Sequence, residues 1–202
     1  VALETGHYFA EKLRGVIFMD FTVAPPDQYL EWGMRAEREG VQPARKLRVY
    51  EDRQTIIGRF RLLPDQPGVY PQVLQHMAEN GIKQVEGGWT WKFDPALFDH
   101  LEMGVGQRDK FASMNCRSAV ILAEQSDDEG AYFADHMAEI TGGLLPIFKI
   151  PGTHHHLMFD EPLAVAMALK AIALDWIRED GATQIRERLN HTLNTSNQTD
   201  TK

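Results

Sequence analysis

The chain has 202 residues, 43% hydrophobic and 25% charged, an ordinary globular composition that fits one domain or one domain with a large insertion. A net charge of −8 with scattered Lys and Arg excludes a basic stripe for nucleic acid. The single cysteine, Cys116, excludes a disulfide framework and points to a reducing, cytoplasmic setting, and no apolar run approaches the roughly 20 residues that span a bilayer.

Residues 1–12 predict a helix, with Leu3, Phe9 and Ala10 for its buried side. Val1-Ala2-Leu3-Glu4 carries no N-cap and reads as the middle of that helix, so the expectation is that the natural N-terminus, with any targeting signal, lies upstream. Residues 13–21 form a continuous apolar run with Asp20 near its end, as expected of a strand buried on both faces. Pro25-Pro26 then breaks regular structure. Helices are predicted over 27–39, 50–60 and 73–80, the last stopped by Gly81, with Pro64, Pro67, Gly68 and Pro71 marking a turn-rich stretch between them. Trp89, Trp91 and Phe93 alternate as a strand face would, after Gly87-Gly88.

The strand–helix rhythm returns with an apolar run over 118–123. A helix follows over 130–140, closed by Gly142-Gly143, then a strand over 145–151. Pro162 opens a final helix over 163–177. The end of the chain is Thr-, Asn- and Ser-rich and is expected to be disordered. The segmentation is thus a core over 1–26 and 106–190, a mostly helical cap over 27–105 and a disordered tail over 191–202. Strands alternating with helices make this an α/β chain with a parallel sheet.

Open α/β sheets place their sites in loops at the carboxyl ends of the strands. Two such loops carry chemistry here. The first strand ends in Asp20, and the third leads into Gly152-Thr153-His154-His155-His156-Leu157-Met158-Phe159-Asp160-Glu161-Pro162. Asp160 and Pro162 stand five and seven residues after His155. At these residues the chain resembles the α/β hydrolases, which end their last strand with a Gly, a catalytic His, and an acid and a Pro at those offsets. The resemblance implies the C-terminal part of an α/β-hydrolase fold, beginning just after the nucleophile elbow, with residues 13–20 as the family's sixth strand. It makes His155 the general base. No G-x-S-x-G occurs, so the nucleophile is expected about five residues before Val1 and the sheet would be completed by that upstream part of the same protein.

The family more commonly places the triad acid after the strand over 118–123, where Ser126 now stands, followed by Asp127 and Asp128. A subset that includes some haloalkane dehalogenases places it after the sixth strand, and Met19-Asp20-Phe21 resembles that arrangement. Asp20 is favoured over Asp127, and both stay open at the level of sequence.

The other candidates carry two readings each. Three adjacent histidines cannot all converge on one ion, and Met158 stands where an H-x-H-x-D-H metal pattern needs its Asp, so no metal or cofactor is expected. Trp89, Trp91 and Phe93 are either the core of the insertion or an apolar wall over the active site; with Met158 they are the substrate-binding candidates. Cys116 reads as an inert, buried thiol. The function expected is a hydrolase of the α/β-hydrolase fold, cleaving an ester of a small apolar substrate through a nucleophile–His–Asp triad. The alternatives are a haloalkane-dehalogenase-like hydrolase with an Asp nucleophile, and a non-catalytic binding module of the same fold. The partner expected is a small molecule, with neither nucleic acid nor membrane.

Overall fold

The computed structural model of the chain describes residues 1–39, 47–94, 96, 106–126 and 130–199. α1 (Ala2–Tyr8) and a 3-10 turn (Ala10–Lys12) lead into β1 (Val16–Met19), which is shorter than the apolar run that predicts it. α2 (Pro26–Glu39), α3 (Arg53–Ile57) and α4 (Pro71–Asn80) precede a hairpin of β2 (Ile82–Val85) and β3 (Gly88–Trp91). α5 (Gln107–Ala112), β4 (Ser118–Ala123), α6 (Ala134–Ile140), β5 (Ile147–Ile150), α7 (Leu157–Asp160) and α8 (Pro162–Thr199) follow.

β1, β4 and β5 form one parallel sheet in that order, in register from Val16 opposite Ser118 and from Val120 opposite Ile147. β4 is central and hydrogen-bonded on both edges. Its residues Ala119 to Ala123 are all at 0% exposure, which explains a run with no polar alternation. Alternation places Val16 and Phe18 beside Val120 and Leu122 on one face. Leu3 of α1, Phe111 of α5, and Ala134 and Met137 of α6 cover that face. The rings of Phe18, Phe21 and Phe111 meet there at 4.9 to 6.0 Å. Each such buried side chain contributes about 1.5–3 kcal/mol. α6 ends as its two glycines require, with Gly142 and Gly143 at φ +63° and +74° and their amides donating to Glu139 and Ala138.

The insertion combines helices with the strand that the Trp89/Trp91 alternation predicts. It is not only helical: residues 82–91 pair as an antiparallel hairpin, extended by mutual backbone bonds between Tyr50 and Trp89 of 2.7 and 2.8 Å. The Trp89/Trp91 alternation was therefore a strand signal inside a helical stretch. Gly88 lets the third chain segment close in, since a Cβ there would lie 2.1 Å from the Tyr50 carbonyl oxygen. The helix predicted over 50–60 contracts to α3. Asp52 caps it, accepting from Thr55 Oγ1 at 2.8 Å and Thr55 N at 2.6 Å, and these bonds hold its carboxyl below the usual range.

The chain divides into two compact units, Val1–Pro162 and Leu163–Lys202. The first holds both sheets. The second is α8, whose backbone stays helical to Thr199 where the tail composition predicts disorder from 191. Extending an existing helix avoids the nucleation cost that defeats such a sequence alone. Among the described residues no helix is long and apolar enough to cross a membrane.

Candidate active site

Asp20 follows β1 with φ +45°, in the left-handed region that Asp and Asn tolerate best among residues with side chains. Such backbone costs about 1–3 kcal/mol and persists only where its surroundings hold it. The turn swings the carboxylate across the carboxyl end of β4. Oδ1 accepts from Ala123 N at 2.9 Å, and Oδ2 accepts from Ser126 Oγ at 2.5 Å. The same Oδ2 lies 2.8 Å from His155 Nδ1. The Asp20 side chain is 1% exposed, so its oxygens are satisfied by these partners rather than by water. Gly130 leaves the room: a Cβ there would lie 3.2 Å from Asp20 Oδ1.

The loop after β5 delivers His155 to this carboxylate. Gly152, at φ +69°, turns the chain, and its N–H donates to Glu124 Oε2 at 2.9 Å. Thr153 is fully buried; its hydroxyl donates to Ile150 O at 2.7 Å and its carbonyl accepts from Gln125 N at 2.8 Å. The flanking histidines are held by their backbones. His154 N donates to Asp160 Oδ2 at 2.7 Å, and His154 Nδ1 is 3.1 Å from the same oxygen. His156 N donates to Gln66 Oε1 at 2.8 Å, and Gln66 Nε2 donates to His156 O at 3.3 Å. Asp160, five residues after His155, thus braces the loop at His154 and does not serve His155 itself. Asp20 against Nδ1 favours the imidazole tautomer with its proton on that nitrogen, which leaves Nε2 as the ring's acceptor.

His155 and Asp20, 135 residues apart in the chain, are the predicted site residues that the fold brings together. Asp127, the rival acid, lies outside the described residues, as do Asp128 and Glu129. Ser126, at the usual acid position of the resemblance, donates to Asp20. Trp89 and Trp91 stay with the insertion: the Arg53 guanidinium lies 5.7 Å over Trp89, and Trp91 meets the Phe60 ring at 5.9 Å. Phe60, Ile57, Arg61, Pro71 and Leu74 line an open cavity of about 440 Å³ between α3 and α4. Phe93 and Met158 are exposed, at 46% and 38%. Among the described ring contacts, His155 meets His156 at 4.9 Å and none joins it to these aromatic residues. Cys116 is half-buried, its S–H donating to Gly6 O at 3.8 Å, and burial pushes its thiol up. Among the described residues no group of three metal-ligating side chains converges. The sequence reading missed Gln66, whose only signal is burial, and burial is invisible before the chain folds.

The site is thus a His155–Asp20 pair at the carboxyl edge of a parallel sheet. No protein-family model matches the chain, and no curated protein sequence matches it. Solved structures do. E-2-(acetamidomethylene)succinate hydrolase superposes with TM-score 0.61 at 19% identity, over 87% of this chain and 62% of that one. The thioesterase domain of the curacin biosynthetic pathway gives 0.59 at 12%, over 84% and 62%. An esterase from Mycobacterium tuberculosis gives 0.61 at 12%, over 85% and 56%. The chain carries the α/β-hydrolase fold and spans about three fifths of the length of these structures, 56–62%.

Proposed function

We propose that this chain supplies the base and the acid of an α/β-fold hydrolase that cleaves an ester of a small, largely apolar substrate. The observation that carries the reading is the 2.8 Å approach of Asp20 Oδ2 to His155 Nδ1 at the carboxyl edge of the sheet. His155 Nε2 takes the proton of a nucleophile that precedes Val1 in the complete protein, and returns it to the leaving group. Asp20 fixes the tautomer and stabilises the imidazolium that forms between those steps. With a serine nucleophile the reaction is acyl transfer to water through an acyl-enzyme. The residues before Val1 and the rest of the sheet are the partner this reading requires, and the cytoplasm is its setting. Trp89, Trp91, Phe93 and Met158 are proposed to meet the apolar part of the substrate.

The location of Asp20 after β1, not β4, favours a second reading. It is a haloalkane-dehalogenase-like enzyme in which an Asp nucleophile forms the covalent intermediate and halide leaves. One experiment tests both. The complete protein is assayed with short-chain esters and with haloalkanes, and probed with a fluorophosphonate. Ester turnover and labelling, both lost in His155→Ala, support the esterase reading. Halide release without labelling supports the second. Neither activity, with ligands still bound, makes the chain part of a binding module.

A further inference from the structure

We propose that Gln66 is a positioning residue for His155, so that the insertion sets the catalytic geometry as well as bounding the substrate. This rests on His155 acting as the base. Gln66 is 7% exposed, and its amide is committed at both ends to one residue, His156, whose N–H it accepts at 2.8 Å and whose carbonyl it donates to at 3.3 Å. The side chain thus pairs with the loop as a neighbouring strand would. It holds the residue that follows His155, while Asp160 holds the residue before it through His154 N at 2.7 Å. His155 sits between two anchored peptide units, one tied within its own loop and one tied to a segment 90 residues earlier.

The chemistry asked of this position is narrow. It needs one acceptor and one donor on a planar group at the end of a two-methylene stem. Asn is too short by one methylene, Glu keeps the acceptor and loses the donor, and Met fills similar space with neither. Asp65 Oδ1 accepts from Gln66 N at 3.1 Å, which steadies the stem at its base. Releasing His156 frees the backbone that aims the imidazole, and a misplacement of about 1 Å in a reacting group costs on the order of 10²-fold in rate.

The test compares Gln66→Met with wild type in the complete protein. The readouts are kcat and KM for a short-chain ester, melting temperature, and the downfield imidazole N–H resonance of His155 in the NMR spectrum, assigned by its loss in His155→Gln. The expected result is a fall in kcat of about 10²-fold with KM within about twofold. The resonance shifts or broadens as the bond to Asp20 loosens. An unchanged resonance and kcat with only a lower melting temperature would show that Gln66 merely supports the fold. If Gln66→Met does not fold, Gln66→Glu, nearly equal in volume, decides by the same readouts. The resonance separates this inference from the proposed function. If wild type turns over no ester but the resonance moves, positioning stands and the activity falls. If wild type is active and neither readout moves, the activity stands and positioning falls.

Discussion

Replacing Asp20 by Asn removes one charge and changes little else. The left-handed φ of +45° suits Asn as well as Asp, so no backbone strain is added. The Asn oxygen can still accept from Ala123 N, now at 2.9 Å, and the new NH2 can donate to Ser126 Oγ, which at present donates 2.5 Å to Oδ2. Hydrogen bonds to a charged group contribute about 1.5–3 kcal/mol against about 1 for neutral ones, so each bond that Asp20 accepts weakens by about 0.5–2 kcal/mol while all of them can still be made. The effect on His155 is different in kind. An NH2 facing Nδ1 at 2.8 Å makes that nitrogen the acceptor and moves the ring proton to Nε2, where it blocks proton uptake from the nucleophile. A wrong tautomer of this type lowers kcat by up to about 10⁴-fold, or roughly 5 kcal/mol of transition-state stabilisation. The assay is steady-state hydrolysis of a chromogenic ester by the complete protein, with circular dichroism to verify folding. A folded Asp20→Asn variant within tenfold of wild type, beside an Asp127→Asn variant that is inactive, would refute the assignment of the acid.

Three further outcomes are expected. His155→Ala lowers kcat by roughly 10³-fold or more, whereas His154→Ala costs much less because its ring meets Asp160; the reverse order, read by the same assay, would unseat His155. Trp91→Ala changes the preference among acyl chain lengths by about 1–3 kcal/mol of discrimination, and an unaltered profile with only a lower melting temperature would return Trp91 to the packing around Phe60. Burial raises the Cys116 thiol, so at neutral pH it stays protonated and iodoacetamide modifies it more slowly in the native chain than after unfolding; equal rates would contradict that environment. The same shift has a stability sign: the unfolded thiol ionises first, so the stabilisation present below the unfolded value is lost as pH rises through the alkaline range.

Local pattern determined a good part of this protein. The continuous apolar run over 118–123 announced a strand buried on both faces, because a central parallel strand has no solvent side to alternate toward; the run before Asp20 gave the expected strand, but β1 lies at the edge of the described sheet and alternates buried with half-buried residues. Gly142-Gly143 announced the end of α6, because left-handed caps favour glycine. The residues around His155 were legible through fixed offsets along one loop. The tertiary structure decided what depends on distant segments. The offset acid, Asp160, braces His154, and of the two acids the sequence left open, with Asp20 favoured, the described residues place Asp20, 135 residues earlier, against His155 through a backbone turn that no periodicity encodes. The contacts of Ser126 and Gln66 arise the same way. Each is an ordinary polar residue in the sequence. Its meaning comes from a hydrogen-bond partner brought beside it, and that partner arrives only once the strands, the insertion and the loop have come together.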